Sequence, residues 1–111
     1  MADRYLAEFE LYVMLAVAQL GEDAYGVSVR KRIEERTGRT VSVGALYTAL
    51  ARLETKGFLK LHEPDATSGR RGRPRRYCSL TEPGRDAMRH SMSMLQRMSD
   101  GVVLEANRGA G

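Results

Sequence analysis

Five arginines, Arg70, Arg71, Arg73, Arg75 and Arg76, crowd the stretch SGRRGRPRRY, residues 68–77, with glycines and a proline between them and no acid among them. Like charges this dense repel one another and cannot enter a core without partners. The net charge is +4, and residues 60–79 carry six basic residues against two acidic ones, while the remainder holds twelve of each. The whole positive excess therefore sits in one segment. Such a local field suits a polyanion, namely DNA, RNA or an anionic membrane surface. An even mix of charges would serve solubility as well, so the segment reads as a binding element.

Other chemistry lacks its parts. His62 and His90 each stand alone, away from any recognisable nucleophile and acid. Glu8, Glu10, Glu34 and Glu35 read as ordinary wet-face acids. No Cys/His spacing suits zinc, and Gly69 and Gly72 lie between arginines rather than between a strand and a helix, so no loop cradles a phosphate. No catalytic residue, metal ligand or cofactor is expected. Cys78 is the single cysteine, which excludes an internal disulfide framework, fits a reducing cytoplasm and reads as a small buried hydrophobe. The 111 residues suit one domain. No apolar run is long enough for a membrane span, and the opening MADRYLAEFELY does not read as a signal peptide.

The elements that must carry the arginines follow from periodicity. Leu6, Phe9, Val13, Ala16, Val17 and Leu20 make one apolar face of a helix over 2–20, and Leu11, Tyr12, Met14 and Leu15 add apolar groups off that face. That helix should touch more than one neighbour, and Gly21 should end it in the left-handed conformation. A second helix spans 24–37, with Val27, Val29 and Ile33 inward and Gly38 as its stop. Ser42 caps a third, whose Leu46, Leu50 and Leu53 form a narrow core stripe and which Gly57 closes. Residues 58–63 and 75–80 alternate as two strands of an antiparallel hairpin around the arginine loop, 64–74. Thr81 caps a last helix, along which Met88, Met92, Leu95, Met98 and Val102 recur at helical spacing.

Helix, helix, helix, hairpin, helix describes a winged helix-turn-helix followed by one further helix, a fold mainly α with a small antiparallel β-hairpin. In such folds the helix after the turn enters the major groove and its N-terminal residues meet base edges. That makes residues 43–51 the recognition helix. Its start, Ser42, Val43, Gly44 and Ala45, is uncharged. A helix N-terminus nevertheless offers free backbone N–H groups to a phosphate, and the small residues let the backbone come close. Tyr47 and Thr48 point away from the leucine stripe and can bond phosphates or bases. Arg71-Gly72-Arg73-Pro74 resembles the centre of AT-hooks, which lie in the narrow minor groove of A·T-rich DNA.

The stretches AYGVSVRKRIEERTG, VSVGALYTALARLETKGFLK and GRPRRYCSLTEPGR together resemble the PadR family of bacterial transcriptional regulators, from about residue 11 to residue 85. The resemblance implies a homodimer that binds a palindromic operator and represses. It implies DNA contact by Ser42, Gly44, Tyr47 and the wing arginines, dimerisation through the last helix, and a small aromatic or drug-like effector sensed near the dimer interface. Tyr5, Phe9 and Tyr12 are the nearest aromatic candidates for the effector. Cys78 departs from the pattern, since relatives often carry a second aromatic residue there.

The expected organisation is a DNA-binding domain over 1–80 with its wing at about 58–80, a dimerisation helix over 81–106 and a frayed tail over 107–111. The DNA-contact set is Ser42, Val43, Gly44, Ala45, Tyr47 and Thr48 with Arg70, Arg71, Arg73, Arg75 and Arg76. The dimer interface is expected to take Leu6, Phe9 and Val13 from the first helix and Met88, Met92, Leu95, Met98 and Val102 from the last. Double-stranded DNA is the expected partner, in the cytoplasm at the nucleoid. Two other readings stand beside this one. A winged-helix nucleic-acid binder without sequence preference would bind with steep salt dependence and little discrimination. A protein-interaction module would bind no DNA at moderate salt.

Overall fold

The computed structural model of the protein describes residues 5–63 and 76–104. The elements are α1 (Glu8–Leu20), a 3-10 turn (Gly21–Asp23), α2 (Gly26–Thr37), α3 (Val43–Thr55), β1 (Leu59–His62), β2 (Tyr77–Leu80) and α4 (Glu82–Ser99). This is a helical fold with one two-stranded antiparallel hairpin, in the order the periodicity predicts.

α1 is the hub. It packs against α2, α3, α4 and β2, which is why its apolar residues extend beyond one face. Val13 and Met14 are fully enclosed, and Leu11, Ala16 and Val17 are buried beside them. The helix begins at Glu8 rather than at the start of the apolar spacing. The Glu10 carboxylate accepts the Ala7 N–H at 3.0 Å, and it also meets Lys56 Nζ at 3.0 Å. Leu6 turns into the core ahead of the first helical turn. Leu6 and Val13, expected at a contact between subunits, are therefore enclosed in the chain's own core, at 6% and 0% exposure. Val13 has no exposed surface to offer a second copy and Leu6 very little. Phe9 is half-buried against the same core.

Two further expectations change. Gly21 does adopt a positive φ of 60°, but with ψ at −124° it lies outside the left-handed helical basin, and the chain runs on into the 3-10 turn. Val27 is 47% exposed, whereas Val29 and Ile33 are buried. Val29 and Ile33 are one turn apart and share a face; Val27 stands two residues before Val29, and at ~100° per residue that places it on the far side. Gly38 ends α2 in the left-handed conformation, φ 75° and ψ 2°.

The hairpin pairs Leu59 with Leu80 and Leu61 with Cys78, so the four apolar residues share the face turned to the core. Lys60 and His62 face outward. Thr81 joins the hairpin to α4. Its hydroxyl donates to the Gly57 carbonyl at 2.6 Å and accepts the Gly84 N–H at 3.0 Å. Its own N–H donates to the Phe58 carbonyl at 3.2 Å. Among the described residues, the core holds α4 by its first turns, through Gly84, Ala87 and half-buried Met88.

Candidate nucleic-acid interface

The turn between α2 and α3 sets the angle of the third helix. Val41 is buried in that turn. Glu34, on the last turns of α2, accepts the Val41 N–H at 2.8 Å, and Arg30 donates to the Val41 carbonyl at 3.4 Å. Both polar groups of one buried residue are thus tied to the preceding helix, as burial requires. Arg39, in the same turn, lies over the Phe9 and Tyr12 rings at 5.8 and 5.7 Å from their centroids and pairs with Glu8 at 3.6 Å. Its positive charge is therefore directed at α1.

Ser42 is the N-cap of α3 and accepts the Ala45 N–H at 3.0 Å. Leu46, Ala49, Leu50 and Leu53 are buried, while Ser42, Val43, Gly44, Ala45, Tyr47 and Thr48 are all exposed. Val43 and Tyr47 are one turn apart, and so are Gly44 and Thr48, so these residues form one continuous outer face beside the helix N-terminus. Nothing lies within 4 Å of the position a Cβ would take at Gly44. The backbone there is open to a close approach by another molecule. Tyr47 is 52% exposed, and its hydroxyl end rests against Gly26. It is at once a surface residue and a packed one.

β2 is held to the start of α2. Cys78 N–H donates to the Ala24 carbonyl at 2.9 Å, and Tyr25 bridges Tyr77 with ring centroids 5.5 Å apart. Arg76 is exposed at the foot of β2. Arg70, Arg71, Arg73 and Arg75 lie outside the described residues. Among the described residues, no group of His, Cys, Asp and Glu is placed to hold a metal ion, and no helix is long and apolar enough to cross a membrane.

The family model of the transcriptional regulator PadR-like family matches residues 14–90, from the middle of α1 through the first half of α4. The chain belongs to the PadR-like family of transcriptional regulators. Members of that family are DNA-binding regulators rather than enzymes. Among solved structures, a PadR family regulator from Eggerthella lenta is 31% identical, with a TM-score of 0.64 over 85% of this chain and 83% of that one. One from Clostridium difficile, 24% identical, superposes with a TM-score of 0.72 over 95% of this chain and all of that one. An uncharacterized 37.1 kDa protein in transposon TN4556 of Streptomyces fradiae is 33% identical over 94 residues. The chain spans 25% of that curated relative's length.

In this PadR-like regulator the sequence reading missed Gly26 as a contact of Tyr47. The signal was present in the Tyr-Gly pair that opens α2, a glycine at a helical position where no turn asks for one. The structure separates the residues grouped for dimerisation. Leu6 and Val13 are interior, Phe9 and Met88 are half-buried, and Met92, Leu95 and Met98 are 45–80% exposed on α4. Val102, expected on the same helical stripe, lies beyond the helix end at Ser99, after extended Asp100 and Gly101 at φ 83°. Of the aromatic candidates for an effector, Tyr5 is 70% exposed, while Phe9 and Tyr12 lie under Arg39.

Cys78 is buried, and burial pushes its thiol up from 9.0 to about 11, with Arg76 opposing and Glu54 adding to the rise. The thiol therefore stays protonated at neutral pH. Alkylation by iodoacetamide at pH 8 should be at least tenfold slower for the native regulator than for the same chain in denaturant, because the thiolate is the nucleophile. Equal rates would show that the thiol is accessible. Between pH 9 and 11 the unfolded chain releases a proton that the native one retains, so stability should fall as pH rises through that window.

Proposed function

We propose that the regulator acts in the cytoplasm as a homodimeric repressor that binds a palindromic operator. Residues 1–80 form the DNA-binding unit and residues 81–106 the dimerisation segment. The observation that carries the reading is the outer face of α3. Every residue from Ser42 to Ala45, together with Tyr47 and Thr48, is exposed, while the leucines beneath them are spent in the core.

In this reading Ser42, Gly44 and Ala45 bring the helix N-terminus to a phosphate. Val43 meets a thymine methyl, and Tyr47 and Thr48 reach base edges or phosphates. Arg70, Arg71, Arg73, Arg75 and Arg76 serve the backbone and the minor groove beside α3. The exposed Met92, Leu95 and Met98, with Met88 at the root of the stripe and Val102 just beyond the helix end, pair with the same residues of a second copy. Two-fold symmetry would then set two α3 helices about one DNA turn, ~34 Å, apart. Repression follows from occupying the operator and excluding other proteins from it. A small aromatic or drug-like effector would relieve it. A cleft of about 650 Å³ between the end of α1, the 3-10 turn and β2, with Val17, Asp23, His62 and Tyr77 in its wall, has the size for such a molecule.

The test is a binding selection from random duplex DNA, followed by affinity measurements at two salt concentrations. The expected result is a palindrome with half-sites one turn apart. Salt-sensitive binding without an enriched motif would mean a non-specific nucleic-acid binder. No binding at moderate salt would mean a protein-interaction module.

A further inference from the structure

Gly26 opens α2, and Tyr47 stands on the second turn of α3. A Cβ at Gly26 would fall on the Tyr47 hydroxyl oxygen and within 2.9 Å of Cζ. The backbone does not require glycine there. The described glycines with positive φ are Gly21, Gly38, Gly57 and Gly101, and Gly26 is not among them. The constraint is one of space: the tip of the tyrosine ring occupies the volume a Cβ would fill, so a side chain at position 26 has to displace the ring.

The residues just before Gly26 hold the other arm of the interface. Ala24 accepts the Cys78 N–H, and Tyr25 packs on Tyr77, whose ring stacks in turn on His62 at 6.3 Å. Three consecutive residues, Ala24, Tyr25 and Gly26, thus touch both the DNA-facing side of α3 and the strands that carry the wing.

We propose that Gly26 is a positioning residue for DNA recognition. By presenting no Cβ beneath Tyr47 it seats the ring in one orientation on the outer face of α3, and through Ala24 and Tyr25 that orientation is registered to the wing strands. The inference rests on the reading of Tyr47 as a DNA contact. A ring seated before binding loses less freedom when it meets DNA, and a displaced ring loses the contact as well.

The test is a cycle of four proteins, wild type, Gly26→Ala, Tyr47→Ala and the double variant, titrated on the selected operator. Ring resonances of carbon-13 tyrosine are recorded in parallel. Gly26→Ala should weaken binding about tenfold beside Tyr47 and by less than about twofold beside Ala at position 47. The Tyr47 ring resonance should move in Gly26→Ala. An equal loss in both backgrounds, or an unmoved resonance, overturns the proposal. If Tyr47→Ala binds as tightly as wild type while Gly26→Ala still moves the resonance, the ring is seated as described but does not touch DNA, and the contact reading fails and takes the positioning role with it. Should Gly26→Ala fail to fold, the wild-type protein decides: nuclear Overhauser contacts between the Gly26 α-protons and the Tyr47 ring should be present before DNA is added, and their absence from the free protein would likewise overturn the proposal.

Discussion

If α4 pairs two copies as proposed, Leu95→Glu is expected to leave a folded monomer that binds its operator at least 100-fold more weakly. Leu95 is 58% exposed and lies on the same helical stripe as Met92 and Met98, at 45% and 80%. Among the described residues α4 meets the core through Gly84, Ala87 and Met88 in its first turns, so exposed Leu95 contributes little to the folding of a single chain. Burying an exposed Leu or Met fully is worth ~1.5–3 kcal/mol, so covering this stripe on two copies supplies most of what a stable pairing needs. A glutamate in the middle of a two-fold contact meets its own copy, which adds like-charge repulsion to the lost burial. Operator affinity falls steeply because each monomer then binds one half-site alone. Sedimentation velocity at micromolar concentration and a gel-shift titration read the two effects, and thermal unfolding shows that the monomer is folded. A variant that stays dimeric with unchanged affinity would remove α4 from the interface.

Gly84→Ala should destabilise the fold by about 2 kcal/mol, a fall in Tm of roughly 10 °C. On helix propensity alone the sign would be opposite, since alanine is favoured over glycine in a helix by ~1 kcal/mol. The tertiary contact reverses it. A Cβ at Gly84 would strike the Phe58 carbonyl oxygen and come within 3.0 Å of Met14 Cε. Methionine can swing aside, but the carbonyl belongs to the backbone at the start of the hairpin and accepts the Thr81 N–H. Relief therefore means lifting α4 off the hairpin and loosening the Thr81 cap. Gly44→Ala is the matched control, because nothing lies within 4 Å of the Cβ it would add. It should leave stability unchanged or slightly raised. Calorimetry on the two variants decides the matter, and equal stability would show that the approach of α4 to Phe58 is looser than described.

The order of elements and the character of α3 were legible in the sequence because they rest on local periods. Leu46, Leu50 and Leu53 announce a buried stripe, and the alternation around Lys60 and His62 announces a half-buried strand. Ser42 and Thr81 announce helix starts. Each of these signals needs only neighbours within a turn or two. The charge map is equally one-dimensional, so the concentration of arginine in one segment, and the nucleic-acid chemistry it suits, could be read directly.

Tertiary structure decided what depends on partners distant in the chain. Val13 and Met92 both sit on apolar helical stripes, yet one is enclosed and the other exposed, because α1 is surrounded by the other elements whereas, among the described residues, the core cluster takes α4 residues from its first turns. Glu10 reads as a wet-face acid, but it is buried against Lys56, 46 positions later. Gly26 and Gly84 carry no positive φ that a turn would explain. At Gly84 the Phe58 carbonyl, a backbone group, occupies the space of a side chain, and at Gly26 the tip of the Tyr47 ring does. A period reports which face a residue is on. Whether that face is covered, and by which atom, is fixed only when separate elements pack.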